Sequence, residues 1–105
     1  MNKHEYPNLG ETLYEEVLPN GLSVLVAVKP GFRKNAAFFA TRYGGADRRF
    51  KVNGEWIDTP AGVAHFLEHK MFDMPDGRNV LSDFAALGAS PNAFTGTGHT
   101  AYYFT

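Results

Sequence analysis

The stretch Val63-Ala-His-Phe-Leu-Glu-His-Lys-Met-Phe72 sets two histidines four residues apart and a glutamate directly before the second. On a helix turning 100° per residue, His69 lies about 40° round from His65 and Glu68 about 60° to the other side, so all three side chains share a face. Two imidazoles in that relation can converge on one zinc ion at about 2.0–2.1 Å. A carboxylate beside them can take a proton from a zinc-bound water, whose pKa the metal lowers towards about 7, and return it to a leaving amine. The metal would also polarise a scissile carbonyl. This is enough in kind for peptide hydrolysis, apart from one ligand, because catalytic zinc ordinarily has three from the protein. The competing reading is an amphipathic helix that carries two imidazoles by accident. Shuffling a composition with four histidines would give the pattern in roughly one chain in a hundred, so the surrounding elements decide.

Those elements favour the metal. Thr59-Pro60 is a helix start, with a threonine able to cap and a proline at the first helical position, where no hydrogen bond is lost. Val63, Phe66, Leu67 and Met71 then give the helix an apolar side, and Pro75-Asp76-Gly77 ends it. A second helix follows, capped by Asn79, with Leu81, Phe84 and Leu87 at three-residue spacing and Gly88 at its C-terminal end. Upstream, residues 13–18 and 22–28 read as two strands joined by Pro19-Asn20-Gly21. The near-continuous apolar run of the second predicts cover on both faces. Residues 36–43 are a third strand stopped by Gly44-Gly45, residues 46–58 a loop, and residues 1–12, polar with Pro7 and Gly10, a loosely held arm. Residues 90–95 and 100–105 are two further extended segments around Gly96-Thr97-Gly98. The order of strands and helices is that of an α+β fold.

Composition narrows the functional classes. A chain of 105 residues with 44% hydrophobic content holds at most one small domain. Ten basic and eleven acidic side chains leave a net charge of −1, with no basic concentration beyond Arg48-Arg49, which argues against nucleic acid or an anionic membrane surface as partner. The absence of cysteine excludes disulfides, thiolate metal sites and cysteine nucleophiles, and fits a reducing compartment. The N-terminus does not read as a secretory signal and no apolar run reaches membrane-spanning length, so a cytoplasmic location is expected. His99 reads as a surface or turn histidine, His4 as part of the polar arm, Lys70 and Arg78 as solvated helix charges, and Trp56 as a loop anchor packed on the core.

The text around the motif resembles one family. Leu18-Pro-Asn-Gly-Leu22, Gly44-Gly-Ala-Asp47, Gly62-Val-Ala-His-Phe-Leu-Glu-His-Lys-Met-Phe72, Ser90-Pro-Asn-Ala-Phe-Thr95 and His99-Thr-Ala-Tyr-Tyr-Phe104 resemble, in order, the pitrilysin/insulinase metallopeptidases, the M16 peptidases. Their inverted zinc motif, that of the inverzincins, is matched by His65-Phe-Leu-Glu-His69.

The resemblance implies an M16/LuxS-like metallohydrolase fold, with a mixed or antiparallel sheet and helices packed on one side. It makes His65 and His69 zinc ligands and Glu68 the base. Asn92, Ala93 and Phe94 would lie on an edge strand that holds an extended peptide or small unfolded protein by strand addition, with core packing the alternative for the Phe94 ring. In the family the third ligand is a glutamate several tens of residues beyond the motif, after Thr105 in this numbering. Asp73 continues the four-residue series, but the series spreads over about 12 Å of helix, which leaves Asp73 as a solvated helix-end carboxylate.

On this basis residues 13–105 are the N-terminal portion of a peptidase domain truncated before its third ligand. The piece alone is then expected to be inactive and to bind zinc weakly, and its sheet edge to self-associate or to meet a homologous partner subunit. Two other readings stand beside this one. S-ribosylhomocysteine lyase carries a similar helix, but its chemistry uses a cysteine. A non-catalytic binding or assembly module of a peptidase complex would have no need to keep Glu68 beside two ligands.

Overall fold

The computed structural model describes residues 1–105 and contains eight strands and two helices. Every strand pairing is antiparallel, in three separate sheets, so the α+β expectation holds with an antiparallel rather than a mixed arrangement. No helix is long and apolar enough to cross a membrane. The chain divides into two units, Met1–Arg33 and Lys34–Thr105.

The first unit is one sheet in the order β1-β2-β3, formed by β1 (Asn2–Tyr6), β2 (Glu11–Val17) and β3 (Ser23–Ala27). Residues 1–12 are therefore not a loose arm: Asn2 lies opposite Glu15 and Tyr6 opposite Glu11. A 3-10 turn at Pro7–Leu9 reverses the chain, closed by Gly10 in the left-handed region at φ 64°. Polarity was the misleading signal, since an edge strand pairs through its backbone and keeps charged side chains in water. His4 Nε2 lies 3.1 Å from Glu15 Oε2, and Lys3 Nζ 2.5 Å from Glu5 Oε1.

The β2–β3 hairpin forms at Pro19-Asn20-Gly21 as expected. The N–H of Leu18 donates to the C=O of Leu22 at 2.8 Å, and that of Gly21 to the C=O of Leu18 at 2.8 Å. Only Gly21 takes a positive φ, 86°, so this is a three-residue loop with one left-handed position. Cover on both faces of β3 is not found, and Leu25 is 59% exposed. The unit has no α-helix, and three strands in one layer cannot cover themselves.

The second unit holds a sheet in the order β4-β8-β7, from β4 (Ala37–Thr41), β7 (Pro91–Thr95) and β8 (Thr100–Phe104), and the hairpin of β5 (Arg49–Val52) with β6 (Glu55–Asp58). That hairpin occupies the segment read as a loop. Asn53 and Gly54 turn it with φ of 51° and 83°, the two-residue Asn-Gly turn that matches strand twist. The signal was present at Val52-Asn-Gly-Glu55 but hidden among charged residues.

Helix α1 (Val63–Lys70) starts three residues later than Thr59-Pro60 suggests. The Thr59 N–H and hydroxyl both donate to the C=O of Arg48, at 2.7 and 3.1 Å, so this threonine closes the hairpin instead of capping the helix. Gly62, left-handed at φ 92°, redirects the chain into the first turn.

Helix α2 (Val80–Ala86) keeps its expected ends. Asn79 Oδ1 accepts from the Leu81 N–H at 2.9 Å. At the other end the N–H groups of Gly88 and Ala89 donate to the C=O groups of Ala85 and Phe84, both at 3.0 Å, with Gly88 at φ 73°, a Schellman closure.

The buried residues of this unit are few: Gly44, Ala64, Glu68, Thr100 and Ala101. Ala64 and Glu68 lie one helical turn apart, and they turn inward instead of the expected apolar side, whose Phe66 is 67% exposed. A small residue and a carboxylate with a waiting donor allow the close approach to the sheet that a phenylalanine would prevent.

Candidate metal centre

Helix α1 presents His65 and His69 on its exposed side and Glu68 on its inner side. The two Nε2 atoms are 3.0 Å apart, close enough for one ring to donate to the other, with ring centroids 4.8 Å apart. Two nitrogens bound tetrahedrally at about 2.0–2.1 Å stand about 3.3 Å apart, so the pair fits a zinc ion with little movement. No group of three or more His, Asp or Glu side chains gathers around any point, so the residues present would offer a metal two ligands.

Glu68 is 8% exposed. Its Oε2 accepts a hydrogen bond from the Thr95 hydroxyl at 2.7 Å, while Oε1 has no protein partner and is not sealed from solvent. Burial pushes the Tyr102 phenol above its usual range, and the negative charge of Glu68 adds to the shift. Tyr102 therefore stays protonated beside the carboxylate.

Strand β7 brings the expected binding residues to the same place. Asn92, Ala93 and Phe94 line an open groove of about 560 Å³ together with His65, Glu68 and His69. The strand has a neighbour, β8, on one side only. Ser90 and Thr105 exchange both backbone hydrogen bonds, which by alternation turns the backbone groups of Asn92 and Phe94 towards β8 and those of Ala93 and Thr95 towards the open edge. The Ala93 N–H is held by Asn92 Oδ1 at 2.8 Å. The Phe94 ring is half exposed and meets His99 edge-on at 5.6 Å, so it is not core packing.

A backbone clamp holds this end of β7. The N–H groups of Gly45 and Ala46 donate to the C=O groups of Gly96 and Thr97 at 2.8 and 2.9 Å, and the Gly44 N–H donates to Asp47 Oδ2 at 2.8 Å. A Cβ on Gly44 would lie 2.6 Å from three backbone atoms of the β7–β8 turn. Thr100, buried, donates its hydroxyl to the C=O of Tyr43 at 2.7 Å. The Gly44-Gly-Ala-Asp47 motif thus seats the turn that carries Thr95. Thr95, Thr100 and Tyr102, which support or adjoin Glu68 and its strand, are not singled out by the sequence although all three lie in quoted motifs; nothing local marks a threonine as the partner of a carboxylate 27 residues away.

The remaining candidates lie elsewhere. Asp73 Oδ2 pairs with Lys70 Nζ at 2.5 Å, and Arg78 with Asp76 and Asp83, as solvated helix charges do. His99 sits at the β7–β8 turn against Gly96 and Phe94. Trp56 does not anchor a loop in the core: it is 58% exposed, with the Arg49 guanidinium and the Lys51 ammonium each 5.1 Å from its ring.

With this geometry in place, comparison with known proteins gives one answer. The sequence model of the family Insulinase (Peptidase family M16) matches residues 54–105. The chain is 52% identical over 103 residues to the uncharacterized zinc protease YmfH of Bacillus subtilis, covering 96% of this chain and 24% of that protein. It is 37% identical over 62 residues to the mitochondrial-processing peptidase subunit beta of Dictyostelium discoideum, covering 48% of this chain and 13% of that one. The crystal structure of an M16-like peptidase from Alicyclobacillus acidocaldarius superposes with a TM-score of 0.84 at 46% identity, over 96% of this chain and 23% of that chain. The chain thus spans under a quarter of the length of each of these relatives. Its sequence motifs, its fold and its relatives agree that the chain belongs to the insulinase (M16) peptidase family.

Proposed function

We propose that this chain carries the motif-bearing part of a zinc-dependent endopeptidase. The observation that supports it is the 3.0 Å separation of His65 Nε2 and His69 Nε2 on the helix that also carries Glu68, beside the open edge of β7. His65 and His69 would hold zinc, with a third ligand from outside residues 1–105. When bound, zinc supplies a Lewis acid that lowers the pKa of water and polarises a carbonyl.

The chain's own residues do the rest. An extended peptide pairs with β7 through the backbone of Ala93 and Thr95, the groups that face the open edge, with the Asn92 side chain releasing the Ala93 N–H. Glu68 Oε1 takes a proton from the attacking water as its oxygen bonds to the scissile carbonyl carbon. The same oxygen then passes that proton to the leaving nitrogen as the C–N bond breaks. Because pairing needs a free backbone, the substrates are extended peptides or unfolded small proteins.

In the full-length protein, Glu68→Gln should lower kcat by about 10²–10⁴-fold and keep the zinc. His65→Ala and His69→Ala should each lose it. A Glu68→Gln protein that cleaves peptides at the wild-type rate would remove this reading. The 105-residue chain alone should bind zinc weakly and cleave nothing. A second reading, a binding or assembly module, is favoured by the open β7 edge and by a relative named as a subunit. A stable complex with a longer chain, with no metal in either, would support it.

A further inference from the structure

We infer that Thr95 is a positioning residue that assigns different tasks to the two oxygens of Glu68, anchoring Oε2 and leaving Oε1 as the proton acceptor. This rests on the reading of Glu68 as the base. The contact is short, 2.7 Å, and joins a buried carboxylate on α1 to the last residue of β7. Oε2 has no other protein donor, and Oε1 has none at all. A glutamate side chain has three torsions, and one anchored oxygen removes most of that freedom while fixing the direction of the other. Threonine suits the task because its branched Cβ restricts χ1, so the hydroxyl is itself well aimed.

The support behind Thr95 is equally constrained. Thr95 lies opposite Thr100, whose hydroxyl is tied to the C=O of Tyr43. The next residue, Gly96, accepts the Gly45 N–H at 2.8 Å, and Gly44 leaves no room for the turn to shift inward. One side-chain hydrogen bond thus links helix α1 to strand β7, at the strand end beside the Gly45–Gly96 clamp. The placement also sets the substrate against the base, because Thr95 offers its backbone to the open edge and its side chain to Glu68.

The test uses the full-length zinc-loaded protein and a fluorogenic peptide. Thr95→Val keeps the shape and removes the hydroxyl. It should lower kcat about 10- to 100-fold with KM within about twofold and zinc content unchanged. Thr95→Ser, which restores the donor, should recover most of the loss. In crystals, the Glu68 carboxylate should occupy one orientation in wild type and Thr95→Ser and several in Thr95→Val. Should Thr95→Val fail to fold, Thr95→Ala removes the donor without placing a methyl against the carboxylate, and the same results are expected.

Wild-type kcat in Thr95→Val or Thr95→Ala would overturn the inference, as would a Thr95→Ser protein no better than either. Zinc lost together with activity would also overturn it, by assigning Thr95 to the metal scaffold. An unaffected Glu68→Gln control would instead sink the peptidase reading, so the two failures are told apart.

Discussion

The two units place their polar side chains in opposite ways. In Met1–Arg33 no residue is buried, and the His4–Glu15 hydrogen bond and the ion pairs Lys3–Glu5 and Lys29–Glu11 all lie in water. In Lys34–Thr105 the few buried residues include Glu68 and Thr100, and each meets a specific hydrogen-bond partner. Exposed pairs gain little, because water competes for both partners. Buried polar groups must be matched, and their loss is costly. In this chain the residues that packing depends on are therefore the residues around the candidate metal centre, and the first unit should tolerate substitutions that the second does not.

The strongest attempt to break this contrast is Gly44→Ala. Its Cβ would have to displace backbone, so the unfolding midpoint should fall by an amount equivalent to about 3 kcal/mol, seen by thermal denaturation followed by circular dichroism. An unchanged midpoint would mean that the clamp on the β7–β8 turn is not rigid. Next comes Thr100→Val, which leaves the C=O of Tyr43 without its donor and should cost about 1–3 kcal/mol in the same assay.

The smallest effect sharpens the comparison from the other side. Lys3 holds the Glu5 carboxyl below its usual value of 4.5 by hydrogen bonding and charge, and Glu5 raises Lys3 above 10.5. The carboxylate part of this contribution is present above pH 4.5 and is lost as pH falls through the lowered pKa. The lysine part is present below pH 10.5 and is lost as pH rises through the raised one. Urea titrations of wild type and Glu5→Gln should differ slightly at neutral pH, less at high salt, and converge in acid. A difference as large as that of Thr100→Val would erase the distinction between the units.

How much was legible follows from how local each cause is. The Asn79 cap, the Gly88 closure and the Pro19-Asn20-Gly21 hairpin each depend on contacts within a few residues, and each appears where the residue types put it. The Asn53-Gly54 turn is equally local, but the charges around it give the segment the character of a loop. At α1, two expectations failed for non-local reasons. Thr59 was free to cap a helix until the C=O of Arg48 took its donors, and the apolar side of α1 was free to turn inward until Ala64 and Glu68 proved the better fit to β7 and its hydroxyl.

What the sequence by itself determined, then, was the chemistry within one helical turn: the geometry of an α-helix brings His65, Glu68 and His69 to neighbouring positions whatever the rest of the chain does. Tertiary structure decided what that chemistry meets. Only folding brings Thr95 to Glu68, sets the backbone of Ala93 at an open edge beside the histidines, and seats the turn against Gly44, because hydrogen bonds between distant segments exist only once the sheet has formed.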